Sequence, residues 1–416
     1  MQDYLQGHFI RAMQQVAQRL KSMPHVLGYG PMNEPGKGYL GLPSLSAVGG
    51  FPQKQVLVTP AESILLGAGF PRRAPTVRLE NMQPVITGEA PLNPNGVSAW
   101  QSREHDIWHQ VGVWDFDEAG QPVIVADDYF DDLDFLRDGL IPFILRYAEA
   151  LRAVHPAAIL FVESTSTEAE HFALSAAQLP NIINAGHWYD EQMLFSKRFD
   201  GQTTLNRRTL EQVHGPAAVQ ALYTANIAEL AQLSRGPMGG IPTLIGEFGV
   251  MFDINERSAY RDGDFRLHET ALGMIYNALD ANRAHATLWN YTPDHDPAQG
   301  DGWNGEDLSI FSPALRTNPT DPDSGGRAVR GFCRPYVQRC AGDLLEMQFS
   351  PEEAVFQARV AVLAAAPGPT EVYLPRIWLG ADPQITVSAG QVALSEQRLI
   401  WHHNGGGIHT LHVARR

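Results

Sequence analysis

The sequence predicts an α/β protein: a (β/α)8 barrel lacking its first three strands in this chain, followed by an all-β sandwich. Two observations lead there. Up to about residue 340, five short apolar segments alternate with amphipathic helical patterns, the order a parallel sheet requires because each crossover helix covers a sheet face. From 341 onward the pattern shifts to short, partly alternating runs punctuated by Pro and Gly, the signature of an antiparallel sandwich. The expected domains are therefore 1–340, with a long insertion at about 36–128, and 341–416.

In chain order, Leu5, Phe9, Ala12, Met13, Val16 and Leu20 form a helical stripe and not the continuous apolar core of a signal peptide. This favours a cytoplasmic location. His25 to Gly30 reads as a short strand ending at Asn33-Glu34-Pro35, and a helix is expected at about 129–153, kinked by Pro142. Strands follow at 158–163 and 181–185, the second running into Gly186-His187-Trp188-Tyr189-Asp190. A helix through Val219, Tyr223, Ile227 and Leu233 precedes the strand 242–247, and a helix at about 264–281 precedes the strand 286–291. In the C-terminal part the expected strands are 344–349, 354–362, 371–374, 385–389, 399–402 and 408–413.

Composition excludes several classes. The 416 residues carry 46 acidic against 31 basic side chains, a formal charge of -15, which disfavours nucleic acid and anionic membranes as general partners. No window approaches the roughly 20 apolar residues that span a bilayer. Cys333 and Cys340 match no metal motif and are expected as free thiols. No metal or other cofactor is implied, and no Gly-rich phosphate loop follows any strand.

Barrel active sites are built at the C-terminal ends of the strands. Glu34, Glu163, His187, Tyr189, Glu247 and Trp289 all fall at such ends. Cleaving a glycosidic bond with retention needs one protonated carboxyl group to donate to the leaving oxygen and one ionised carboxylate to attack the anomeric carbon. Glu34 is the candidate acid/base, with Asn33 beside it to hydrogen-bond the sugar. Glu247, in Ile245-Gly246-Glu247-Phe248-Gly249, is the candidate nucleophile. Tyr189 is placed to keep Glu247 ionised, and His187 to hold Glu34 or the substrate. Singly these motifs are weak: Asn-Glu-Pro is common, Gly-Glu-Phe-Gly often marks a strand-to-turn junction, and His-x-Tyr is more often structural. Their order and placement, each at a different strand end, carry the expectation.

With these residues in place, the chain resembles glycoside hydrolase family 5, the cellulase family, over about residues 1–340. The resemblance assigns Asn33 and Glu34 to strand 4 of the family's barrel, His187 and Tyr189 to strand 6, Glu247 to the strand-7 nucleophile and Trp289 to the strand-8 aromatic platform. Gly302 to Phe311, Gly325-Gly326-Arg327-Ala328 and Arg334-Pro335-Tyr336 are similar to the endoglycoceramidase-related branch of glucosylceramidases and steryl-β-glucosidases, as are Pro60-Ala61-Glu62-Ser63 and Asp106-Ile107-Trp108 in the insertion. The resemblance also implies a C-terminal β-sandwich, with Trp303 and Glu306 placed to meet the sugar.

The expected partner is thus a small-molecule glycoside, in particular a glycolipid, with peripheral contact to a lipid surface left open. The insertion aromatics Phe51, Phe70, Trp100, Trp108, Trp114 and Phe116 either offer apolar surface to a lipid aglycone or pack the insertion itself. Two further readings stand beside the leading one: an endo-acting glycosphingolipid or β-glucan hydrolase, and an inactive carbohydrate-binding remnant. The family's first three strands have no counterpart before Met1, and the expectation is that these residues belong to a longer protein.

Overall fold

The computed structural model describes residues 2–47, 56–80, 83–163, 172, 174–365 and 368–416. They fall into two compact units, Met1–Ala158 and Ile159–Arg416.

The first unit opens with α1 (Gln2–Leu20). Its buried positions are Ile10 and Ala17, whereas Leu5 and Val16 of the expected stripe are 52% and 42% exposed. The reason is its partner: Gln14 donates to the Ala150 carbonyl, so the packed face is the one shared by Ile10, Gln14 and Ala17, four and seven residues on, with Phe9 stacking on Tyr147 at its margin. The two-residue strand β1 (Gly28–Tyr29) follows. Tyr147 donates to the Gly30 carbonyl at 3.2 Å and Tyr29 bonds His155 Nδ1 at 3.1 Å, which pins the strand end.

The insertion is built from short helices and hairpins. Thr59 and Glu62 form a reciprocal capping box around α2 (Pro60–Gly67), with Pro60 in the first turn. A long hairpin pairs β2 (Arg72–Glu80) with β3 (Gln83–Leu92). Asp106 caps α3 (Ile107–Gln110) and also accepts the Trp114 indole N–H at 3.1 Å. A second hairpin joins β4 (Trp114–Phe116) to β5 (Pro122–Ile124). The helix expected over 129–153 is shorter: a π-helical turn at Phe135–Leu140 feeds α4 (Ile141–Arg152), with Pro142 in the first turn, where its missing N–H costs nothing.

The second unit carries the parallel strands. In chain order it contains β6 (Ile159–Val162), β7 (Ile182–Asn184), α5 (Glu191–Ser196), the hairpin of β8 (Thr203–Asn206) and β9 (Glu211–His214), α6 (Pro216–Arg235), β10 (Leu244–Phe248), α7 (Ile254–Asp262), α8 (Arg266–Asn282) and β11 (His285–Leu288). β6 pairs β7 in parallel with Val162 opposite Asn184, β10 pairs β11, and a parallel bridge between Asn184 and Thr243 links the two pairs. The helices cover them through one core in which Val219, Tyr223 and Ile227 of α6 and Leu272, Ile275 and Ala278 of α8 meet Ile245 and Phe248 of β10. Among the described residues these strands do not close into a barrel.

After α9 (Val329–Phe332) the chain forms a sandwich. One antiparallel sheet contains β12 (Tyr336–Arg339), β15 (Thr370–Tyr373), β18 (Arg398–His402) and β17 (Gln391–Ser395). The other contains β13 (Gly342–Ser350), β14 (Val355–Val362), β19 (Gly407–Ala414) and β16 (Gln384–Val387), and α10 (Arg376–Leu379) follows β15 in the chain. Alternation sets the core: Phe356, Ala358, Val360 and Val362 point in with Leu411, Val413, Val372 and the fully buried Trp401. Cys333 and Cys340 are free thiols.

Candidate active site

In the second unit the site is centred on Glu247, penultimate residue of β10. Its backbone is held from both sides: the Glu247 carbonyl accepts Trp188 N–H at 2.9 Å, and the next carbonyl, of Phe248, accepts Trp289 N–H at 2.8 Å. Both flanking glycines are steric requirements. A Cβ on Gly246 would lie 2.4 Å from the Ala185 carbonyl oxygen and 3.0 Å from the His187 ring, and one on Gly249 would lie 2.2 Å from the Trp289 carbonyl oxygen. Gly246-Glu247-Phe248-Gly249 is therefore a strand end on which neighbouring backbones close in, and the main chain that carries Glu247 is held in place.

Two side chains from the end of β7 converge on the same carboxylate oxygen. Tyr189 donates its hydroxyl to Glu247 Oε2 at 3.0 Å, and His187 Nδ1 lies 3.4 Å from that atom. On the other side of the imidazole, Nε2 lies 3.3 Å from Glu163 Oε2. The side chains of His187, Glu163 and Glu247 are only 10–16% exposed. The segment that delivers them is locked by its last residue: buried Asp190 caps α5 and accepts the hydroxyls of Thr204, at 2.7 Å, and Tyr223. Burial, with Asp190 beside it, raises the Tyr223 hydroxyl well above its ordinary value, so Tyr223 serves as a donor.

A second carboxylate faces the aromatic residues. Glu306 Oε2 accepts the indole N–H of Trp303 at 3.2 Å and of Trp289 at 3.4 Å, and Asn304 donates to its other oxygen at 3.1 Å. Trp303 is 42% exposed. Underneath, Asp301 bonds Asn290 and the backbone N–H groups of Leu308 and Ser309. Asp307, the residue after Glu306, accepts from Arg327 at 2.7 Å and Tyr260 at 2.6 Å and pairs with His295 at 3.0 Å. Burial pushes the Asp307 carboxyl up, but the guanidinium and these hydrogen bonds outweigh it and hold the group below its ordinary value.

In the first unit, Asn33 and Glu34 stand exposed on the turn after β1, between the buried Pro31 and Pro35. Glu34 takes a left-handed φ of +42°, an uncommon conformation for a residue other than glycine.

Residues 334–413 match the glycoside hydrolase family 5 C-terminal domain. The chain is 29% identical to a glucosylceramidase of Cryptococcus neoformans var. grubii over 94% of its own length and 58% of the relative. It is 27% identical to a Rhizopus delemar glucosylceramidase, over 97% of itself and 63% of that protein. An ergosteryl-β-glucosidase of Saccharomyces cerevisiae is 24% identical over 75% of this chain and 47% of its own. The crystal structure of Cryptococcus neoformans sterylglucosidase 1 superposes with a TM-score of 0.88 at 26% identity, covering all of this chain and 68% of that one. The chain is thus similar to glycoside hydrolase family 5. Within it, the relatives lie in the branch of glucosylceramidases and steryl-glucosidases. The chain spans about three fifths of the length of the two glucosylceramidases.

In this chain the second unit brings together His187, Tyr189 and Glu247, and separately Trp289, Trp303 and Glu306. In the sequence Glu163 falls at a strand end, with nothing local to give it a role. Its significance comes from the pairing of β6 with β7, which sets the two strand ends side by side. Four insertion aromatics, Phe70, Trp108, Trp114 and Phe116, pack around the insertion's own core, with Trp114 fully buried. Trp100 is partly buried, and Phe51 lies outside the described residues. No described helix is long and apolar enough to cross a membrane.

Proposed function

We propose that this chain is a retaining β-glucosidase acting on lipid-linked glucosides, a glucosylceramide or a steryl glucoside. The observation that carries the reading is the Glu247 carboxylate, carried between glycines at a strand end, with Tyr189 and His187 both on Oε2. Donors on a carboxylate favour its ionised form, the form a nucleophile needs. The names of the relatives, glucosylceramidase and ergosteryl-β-glucosidase, supply the substrate class.

In this reading Glu247 attacks the anomeric carbon while the glycosidic oxygen departs with a proton from Glu34, leaving a glycosyl ester on Glu247. Glu34 then takes a proton from water, whose oxygen attacks the same carbon and frees Glu247. Asn33 bonds the sugar hydroxyl next to the reacting carbon, where charge builds in the transition state. Trp289 and Trp303 offer aromatic faces to the glucose ring and Glu306 accepts from its hydroxyls. Residues 1–340 carry the chemistry and 341–416 brace it.

The test is incubation of the purified protein with glucosylceramide and with steryl β-glucoside, with a fluorosugar inactivator in parallel. Free glucose and a label on Glu247 are expected. A label on another residue sinks the nucleophile assignment, and release of an oligosaccharide from a longer glycolipid moves the reading to an endo-acting enzyme. Glu34→Gln is expected to slow turnover mainly for poor leaving groups, which need the proton most.

A further inference from the structure

A carboxylate paired with the far nitrogen of the imidazole beside the nucleophile has no place in the two-glutamate chemistry above. β6 and β7 are parallel neighbours in register at Val162 and Asn184, and the Ala185 N–H donates to the Val162 carbonyl at 2.8 Å, so the strand ends stay together one residue further. Glu163 and His187 follow directly. The result is one imidazole with a carboxylate oxygen on each nitrogen, Glu163 on Nε2 at 3.3 Å and Glu247 on Nδ1 at 3.4 Å. Gly246 makes room for the ring, since a Cβ there would lie 3.0 Å from His187 Cδ2.

The electrostatics of this arrangement permit few protonation states. A neutral imidazole has one N–H, so its other nitrogen turns a lone pair toward an anionic oxygen, which is repulsive. An imidazolium donates from both nitrogens and reduces the charge of the trio from two negative charges to one. At 10–16% exposure solvent screens these groups little, and opposite charges at this range favour the charged form of each.

We propose that Glu163 is a positioning residue: its carboxylate keeps the second proton on His187 and aims Nδ1–H at Glu247, which holds the nucleophile ionised and oriented. Glu163 acts through His187. The inference rests on the reading of Glu247 as nucleophile. The logic parallels the buried carboxylate that fixes the tautomer of a catalytic histidine in hydrolytic triads, with the imidazole here serving as a fixed donor.

The test combines histidine side-chain nitrogen NMR of the full chain at neutral pH with steady-state kinetics on a β-glucoside. His187 is assigned by the loss of its signals in His187→Gln. In the unaltered protein both ring nitrogens of His187 are expected to be protonated, and in Glu163→Gln only one. In the same variant kcat is expected to fall about ten- to a hundredfold, by analogy with the carboxylate that orients a metal-ligating histidine, with KM changed far less. Glu163→Asp, which keeps the charge on a shorter arm, is expected to recover part of both signals, and it decides the matter if Glu163→Gln does not fold. Unchanged His187 spectra, or changed spectra with unchanged kcat, overturn the proposal. A protein that releases no sugar from any glucoside overturns the glucosidase reading instead, and the spectra still report whether Glu163 controls the proton.

Discussion

Two clusters in the second unit are built from the same kinds of side chain and differ in solvation. Around Glu247, a tyrosine, a histidine and a second carboxylate meet, with the histidine and both carboxylates at 10–16% exposure. Around Asp307, a tyrosine, a histidine and an arginine meet at 0–2% exposure for the arginine, the histidine and Asp307 itself. The second cluster is neutralised: Arg327 balances Asp307, stacks on Phe252 at 3.9 Å and donates to the Ser309 carbonyl. The first has two carboxylates for one imidazole, and Tyr189 and His187 crowd one oxygen of Glu247. A sealed and balanced cluster is a clamp, here on the loop that presents Trp303 and Glu306. A cluster with more carboxylates than cationic partners, less completely sealed, is the one that fits the proposed chemistry.

The largest expected effect breaks the clamp. Arg327→Met leaves Asp307 buried beside two weaker donors, and removing one partner of a buried pair costs about 3–5 kcal/mol. The melting temperature is expected to drop steeply, and sugar binding to weaken because the Gly300–Leu308 loop loses its floor. Adding Asp307→Leu to Arg327→Met is expected to return part of the stability, since replacing both partners removes the stranded charge. A melting temperature unmoved by Arg327→Met would show that the sealed cluster clamps nothing.

The next effect acts on the flank of the clamp through pH. His268 stacks on Phe252, the ring that carries Arg327 on it, and is 1% exposed. Burial, aided by the charge of Arg327, pulls its pKa from 6.5 down to about 4. The folded state therefore holds His268 neutral while the unfolded chain binds a proton. Its cost is absent above pH 6.5, grows as pH falls and is complete near pH 4. The shift corresponds to at most about 3 kcal/mol. His268→Gln, neutral throughout, is expected to flatten the decline of melting temperature with acid over that window while leaving the value above it little changed.

How much of this was legible in the sequence differs between the two clusters. Glu247, Tyr189 and His187 each end an apolar run followed by a helical pattern, and period alone places such residues at strand ends. Glu163 sits at a strand end too, but its contact with His187 depends on the register between parallel neighbours, which no local pattern encodes. Asp307 and Arg327 lie on either side of a long turn, and their pairing follows from tertiary closure. The hairpin Arg72–Glu80 with Gln83–Leu92 has little local signal, since Pro75, Pro84 and Pro91 interrupt it; in a two-stranded hairpin the outer edges need no donors, so proline is tolerated. In the sandwich, β14 and β19 were legible from alternation, whereas β12 and β17 were not, since their inward positions are few and half-exposed.

The smallest expected change in stability separates the clusters most sharply. Tyr189→Phe removes one hydroxyl from Glu247 and keeps the ring, which packs against the unit's core. A hydrogen bond to a charged acceptor contributes about 1.5–3 kcal/mol, and if that contribution is made to the ionised nucleophile it is felt in the barrier, as roughly a ten- to hundredfold loss of kcat. The folded state loses little, because Glu247 keeps His187 on the same oxygen, so the melting temperature is expected to stay within about 2–4 °C of the unaltered protein. Arg327→Met is expected to move stability first and activity as a consequence, whereas Tyr189→Phe moves activity alone. If Tyr189→Phe instead lowered the melting temperature as far as Arg327→Met does, with kcat intact, the open cluster would be a second clamp and the reading of Glu247 as a nucleophile would lose its support.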